Sequence, residues 1–330
     1  MRVLQQQSLA APAAFDGVGL HSGESVTLVV HPAAANTGIV FIRCDLLDDG
    51  QAALRDAEQL RRLVGVQHRA VIVARAVNVS RTRLGTTLTN PLGTSIATIE
   101  HLMAALALSG VDNALIAVSG TEVPILDGSA RQFVDEIDQS GVMALDQTRT
   151  AIAPNEAFEV RDGDRFIRLE PGPSMSFDVA IDFDDPVIGH QSLQVSMDDR
   201  ESRARLSRAR TFCELKTVQH LIDQGLCQGG SLENSIVVDG GRMLNGENLR
   251  DPQEFVLHKT LDLLGDLALL GQPLGGRVTA FKPGHDINNR FCRALLDHLN
   301  GASHVKPGRF EPKDRLIAAN QADDGLAVTT

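Results

Sequence analysis

The sequence predicts an α+β protein. Its two domains are similar and two-layered, each a sheet with helices on one face. They are related by internal duplication and packed helix layer to helix layer. Three observations predict this. The chain has 330 residues, too many for one small core and suited to two. Each half runs strands, a helix, a strand, a glycine-bearing turn and a second helix. Between the halves, 141–156 is polar, short of large apolar side chains and contains Pro154, which marks a boundary. We therefore divide the chain into 1–148 and 149–330.

In the first half, 17–23 (GVGLHSG) reads as a loop and 25–30 (SVTLVV) as a β-branched strand. Residues 39–44 supply a partner strand. Residues 52–65 carry charges at helical spacing, and 47–63 reads as a surface insertion. A strand is expected over 69–78. A helix over 98–109 (TIEHLMAALALS) is stopped by Gly110, and an apolar strand follows over 113–119. Asp127-Gly128-Ser129 turns the chain into a helix over 130–140. In the second half, 157–161 and 165–169 flank Asp162-Gly163-Asp164, a hairpin signal. The next strand is 177–183. Residues 254–271 form a long helix, 276–281 a strand, Pro283-Gly284-His285 a turn and 287–299 a helix. Residues 311–330 form a polar terminal stretch.

Composition narrows the function classes. Hydrophobic residues make up 43% and charged residues 22%, a soluble globular balance. There are 12 Phe but no Trp or Tyr, so the cores must be mostly aliphatic. A net charge of -11, with no basic cluster among aromatics, argues against nucleic acid as a partner. The four cysteines, Cys44, Cys213, Cys227 and Cys292, form no CxxC motif, and a reducing cytoplasm suits them. The polar run after Met1 offers no signal peptide, and no window approaches the roughly 20 apolar residues of a membrane span.

Chemistry gathers in three stretches. His258, Asp262 and Asp266 lie four apart, so each step drifts only about 40° and all three share one helix face. A His and a carboxylate at that spacing can bind a divalent metal, and a solvated polar face is the competing reading. Glu100 and His101 stand side by side at a helix start, about 100° apart. That suits a division of labour, His101 as ligand and Glu100 as general base toward water, although Glu100 also suits a helix N-terminus by charge alone. Together, His101, His258 and Asp262 make the three-ligand set of a catalytic zinc, with the ligands drawn from both halves. His285, in an exposed Pro-Gly turn, could donate a proton to a leaving amine if Asp266 steadies it. A solvated loop histidine is the alternative.

These motifs together resemble the UDP-3-O-acyl-N-acetylglucosamine deacetylases, zinc amidases of lipid A synthesis in Gram-negative bacteria. The resemblance runs through GVGLHSG (17–23), RLGTTL (83–88), IATIEHLMAAL (96–106), EVPILDGSA (122–130), GLCQGGSLENSIVVD (225–239), EFVLHKTLDLLGDL (254–267) and KPGHDINN (282–289). It implies zinc on His101, His258 and Asp262, with Glu100 activating water. Thr211 would stabilise the oxyanion, and His285, with Asp266, would protonate the amine. Lys259 would bind or polarise the substrate. It further implies Phe183 stacked on uracil, Arg165 on the diphosphate, and an apolar acyl passage over 212–235 walled by Phe212 and Cys227. It suggests a cytoplasmic monomer. Asp185 and Asp286 depart from the family pattern, and the family usually has Lys at the Arg165 position. Carboxylate and imidazole ligands also accept iron. Two other readings stand beside this one: a zinc amidase on another acetylated amino sugar, and a non-catalytic nucleotide-sugar binder.

Overall fold

The computed structural model describes residues 5–246 and 248–301; the terminal stretch 311–330 lies outside them. The first half opens with β1 (Gln5–Leu9), β2 (Ala13–Val18), β3 (Ser25–Pro32) and β4 (Ile39–Arg43). Helix α1 (Ala57–Leu63) and β5 (Val71–Val73) follow. A small sheet of β6 (Val79–Arg81), β7 (Thr87–Thr89) and β8 (Ser95–Ile96) delivers the chain to α2 (Glu100–Leu108). β9 (Ala114–Val118), α3 (Arg131–Ser140) and β10 (Val142–Thr148) complete it. The main sheet has the order β2-β3-β9-β4-β5, with only β9 and β4 parallel.

The second half supplies β11 (Phe158–Asp162), β12 (Arg165–Glu170), β13 (Ser176–Asp182), β14 (His190–Ser196) and α4 (Arg200–Arg208). Next come β15 (Phe212–Glu214), α5 (Leu215–Asp223), β16 (Ile236–Val238), α6 (Glu254–Leu267), β17 (Arg277–Phe281) and α7 (His285–Leu299). Its sheet runs β11-β12-β17-β13-β14, with only β17 and β13 parallel. In both sheets the fifth strand, arriving after a buried helix, inserts between the second and third. The architecture is α+β, as the sequence predicts. Helix α2 packs against α6, and the shared core is aliphatic, each buried Leu or Ile contributing roughly 1.5–3 kcal/mol.

Three expectations need correction, those for 47–63, 69–78 and His285. Residues 47–63 are not a loose surface insertion. Ala53, Leu54 and Leu60 are buried and form a second core with Val29, Val40, Ile42 and Leu115 on the outer face of the first sheet. That sheet is therefore covered on both faces, and β9 is buried at every position, whereas β13 alternates along its length. The strand expected over 69–78 stops at Val73, because β5 pairs only with β4, over three residues, and a 3-10 turn follows at Ala76–Asn78. The polar stretch from 141 begins as strand β10, which pairs with β1. It has one neighbour in a two-stranded sheet and is mostly exposed, Met143 included. His285, expected in an exposed turn, is the first residue of α7 and only 5% exposed. Among the described residues no helix is long and apolar enough to cross a membrane.

Candidate active site

Helix α6 is buried along its whole length, so the reading of His258, Asp262 and Asp266 as a solvated face does not hold. α2 begins where Thr98 takes φ +57 and ends at Gly110, φ +73. It packs against α6, with Ala104 and Ala105 fully buried. The closest approach is at Gly265, where a Cβ would sit 2.1 Å from the Glu100 carbonyl oxygen. This contact sets Glu100 and His101 beside the polar row of α6.

One donor atom each from His101, His258 and Asp262 lies within 4.8 Å of the others. His258 Nε2 is 3.3 Å and His101 Nε2 3.6 Å from Asp262 Oδ1. His258 Nδ1 is 3.0 Å from the Ala209 carbonyl, which accepts its proton and leaves the Nε2 lone pair aimed at Asp262. Asp262 Oδ1 has no hydrogen-bond partner among the described residues. Two acceptors thus face each other in a buried place, which a cation between them satisfies. Burial pushes the His258 imidazole down to about 3, so it is neutral and able to ligate. Burial opposes charge on Asp262, but its neighbour His258 and the Lys259 ammonium, 3.0 Å from Oδ2, together hold its carboxyl well below the usual range. The donor set fits a divalent transition metal.

Two buried ionisable side chains, Glu100 and His285, line the same cavity as this cluster. Glu100 is 4% exposed, and burial pushes its carboxyl up. The backbone N–H of Thr86 donates to Glu100 Oε2 at 3.0 Å. His285 Nδ1 donates to Asp266 Oδ2 at 2.8 Å. Burial works against the imidazolium, but the Asp266 carboxylate outweighs it and pushes His285 up to about 9. Asp266 also accepts from Asn288 Nδ2 at 2.8 Å and Thr86 Oγ1 at 2.6 Å, so its carboxylate is well satisfied.

A cavity of about 370 Å³ brings together Glu100, His101, His258, Asp262, His285, Thr211, Phe212 and Cys227. It continues between Leu215, Val218, Leu221 and Ile222 of α5 and the loop bearing Leu232, so 212–235 provides an apolar wall. The buried Arg210–Glu254 pair fixes the segment that presents Ala209 and Thr211: Glu254 Oε1 accepts from Arg210 Nε at 2.9 Å and from its backbone N–H at 3.1 Å. Not every expected residue reaches the cavity. Asp266 stands behind His285, and Lys259 reaches Asp262 instead. Phe183 lies outside the lining, its ring 5.5 Å from that of Phe212. Arg165 also lies outside, paired with Asp162 at 2.6 Å and Asp286 at 3.8 Å. Asp185 is buried and accepts from the backbone N–H groups of Val187 and Gly241, tying two loops together.

Sequence reasoning gave no role to Thr86, Asn288 or His21. His21 lines the cavity and donates from Nε2 to the Leu84 carbonyl at 3.0 Å. The one signal for it was a histidine inside a glycine-rich loop. Thr86 and Asn288 fall in the stretches RLGTTL and KPGHDINN that carry the resemblance, but their shared partner Asp266 is distant in the chain, so no role could be read for them.

The family model of UDP-3-O-acyl N-acetylglycosamine deacetylase matches residues 6–297. Among similar proteins named UDP-3-O-acyl-N-acetylglucosamine deacetylase, that of Phenylobacterium zucineum is 42% identical over 290 residues, 88% of this chain and 92% of the relative. That of Anaeromyxobacter sp. strain Fw109-5 is 40% identical over 297 residues, 90% of each chain. That of Campylobacter fetus subsp. fetus is 38% identical over 293 residues, 89% and 92% of the two. With a family match over nearly its whole length, on which the residues of this cavity fall, the chain belongs to the UDP-3-O-acyl N-acetylglycosamine deacetylase family.

Proposed function

We propose that the chain hydrolyses the acetamide of UDP-3-O-acyl-N-acetylglucosamine, releasing acetate and a free amine, in lipid A synthesis. The carrying observation is that a buried carboxylate and a buried imidazolium face one cavity across the His101, His258 and Asp262 cluster. We assign zinc to those three residues. Bound there, it supplies Lewis acidity toward the amide carbonyl and toward water. Glu100 is the general base: a carboxyl raised by burial takes a proton from water more readily than an exposed one. His285 is the general acid. Its Nδ1 proton is held by Asp266, so Nε2–H is the proton given to the departing amine. The Thr211 hydroxyl donates to the developing oxyanion. Lys259 acts through Asp262, whose charge it sustains and whose Oδ1 it leaves for the metal.

The finer substrate contacts rest on position. The α5 wall and Phe212 would take the acyl chain, with Cys227 at its side. Phe183, beside Phe212, would stack on the base, and Arg165 would meet the diphosphate by exchanging Asp162 and Asp286 for phosphate oxygens. We read the chain as two duplicated units, 1–148 and 149–330, facing each other through their helices. The shared strand order and the packing of α2 on α6 support that reading. All proposed groups come from one chain, which suits a monomer, and four free thiols suit the cytoplasm.

The test is release of free amine from UDP-3-O-acyl-N-acetylglucosamine by metal-stripped protein, with zinc added back. Turnover only with metal supports substrate, reaction and cofactor together. No turnover with any metal, or turnover only on other acetylated amino sugars, would sink the substrate assignment.

A further inference from the structure

We infer that Thr86 is a positioning residue that fixes the base and the acid relative to each other; this rests on the reading of Glu100 and His285 given above. Thr86 is 1% exposed and touches both carriers. Its backbone N–H, 3.0 Å from Oε2, makes the one hydrogen bond to the Glu100 carboxylate among the described residues. The other oxygen, Oε1, lies against Gly85, where a Cβ would stand only 3.0 Å away. Gly85 has φ +143, a conformation that residues with a side chain rarely adopt. The 85–86 backbone therefore assigns the two oxygens: Oε2 is anchored, and Oε1 is left to take the proton.

The hydroxyl of Thr86 serves the acid. It donates its one proton to Asp266 Oδ1 at 2.6 Å. Its lone pair, 3.3 Å from His285 Nδ1, shares the imidazolium proton that Asp266 Oδ2 accepts at 2.8 Å. Asp266 is thereby held on both oxygens, and His285 cannot swing without breaking contacts at both partners. One residue from the loop between β6 and β7, 14 positions before Glu100 and 180 before Asp266, joins the two halves of the proton path.

The test uses the zinc-loaded full chain and the isosteric Thr86→Val, which keeps the N–H and removes the hydroxyl. We expect kcat to fall about 10- to 100-fold, the loss of one hydrogen bond to a charged group. KM and zinc content stay near those of the parent, Tm falls by no more than a few degrees, and Thr86→Ser restores most of the rate. In a His285→Ala background the same change costs less than about 2-fold further, because its target is gone. Equal loss in both backgrounds, or a fall in Tm with kcat unchanged, gives Thr86 a merely structural role and overturns the inference. If His285→Ala alone leaves kcat intact, the assignment of the acid fails first and the inference falls with it.

Discussion

Gly265→Ala tests whether the site depends on the contact between α2 and α6. The added Cβ would stand 2.1 Å from the Glu100 oxygen, 2.9 Å from its carbonyl carbon and 3.2 Å from its Cα. Ordinary contact begins at 3.4 Å, so the helices must part by about 1.3 Å along that line. No rotamer can relieve the clash, because the atoms on both sides belong to the backbone or to Cβ. Alanine gains at most about 1 kcal/mol of helix propensity over glycine, whereas overpacking a tight core costs about 1–3 kcal/mol, so overpacking wins. The net loss lowers Tm by a few degrees. The effect on catalysis is larger. Glu100 and His101 move with α2 while His258, Asp262 and His285 stay, and a misplacement of about 1 Å costs roughly 100-fold in rate. Thermal unfolding, metal content and the rate of amine release measure the three effects. A variant with parental kcat and a Tm unchanged or raised would refute the claim that this contact sets the site.

Three further predictions follow from buried charge. If His285 is the acid, the rate falls as pH rises through about 9, and Asp266→Asn moves that limb down, because burial is then opposed only by the Glu100 and Asp262 charges. The folded value lies above the ordinary 6.5, so this histidine's contribution, on the order of 3 kcal/mol, is whole below pH 6.5 and is lost as pH climbs to 9; His285→Ala removes that slope from the stability curve. Stripping the metal abolishes turnover and lowers Tm, since metal at a thousandfold its Kd adds about 4 kcal/mol; an unchanged Tm would place the metal elsewhere. Asp262→Asn leaves the Lys259 ammonium buried and unpaired, at a cost of about 3–5 kcal/mol, whereas Asp262→Asn with Lys259→Met regains most of the stability and none of the activity.

The sequence carried the parts of the site that depend on local periodicity. His258, Asp262 and Asp266 share a face because a helix repeats every 3.6 residues, and that was legible before any fold was known. The same pattern left burial open between a metal-binding row and a solvated one. A polar row on a helix can read as a wet face, but here α2, α4, α7 and the second sheet enclose α6, and enclosure is not a local property. His285 misread for the same reason: Pro283-Gly284 does turn the chain, but the turn is capped by Thr86 and Asp266 from elsewhere. The 47–63 stretch looked loose because its apolar residues are few, yet Leu54 and Leu60 suffice to cover β9. Lys259 shows the limit of assigning roles by position, since only coordinates reveal that its ammonium turns to Asp262.

The charges explain why a dication belongs at this place. Glu100, Asp262 and Asp266 are buried together with the Lys259 ammonium and the His285 imidazolium, and the protein alone leaves the cluster one charge negative when all are ionised. A buried surplus charge is expensive, and each carboxylate could shed it only by taking a proton. Asp262 is held ionised by Lys259, and Asp266 is satisfied by three donors, so the strain falls on Glu100 and on the unpartnered Oδ1 of Asp262. A divalent cation at that oxygen would turn the surplus to one positive charge; when Glu100 takes water's proton and the oxyanion forms, that total is unchanged, and a positive charge would already stand beside the new anion. His101 comes from α2, and His258 and Asp262 from α6, so the charge balance is reached only when the two helices are packed. The affinity of the proposed metal site, helix packing and the placing of Glu100 are therefore one coupled property of this core, and a change at Gly265 should be felt in all three.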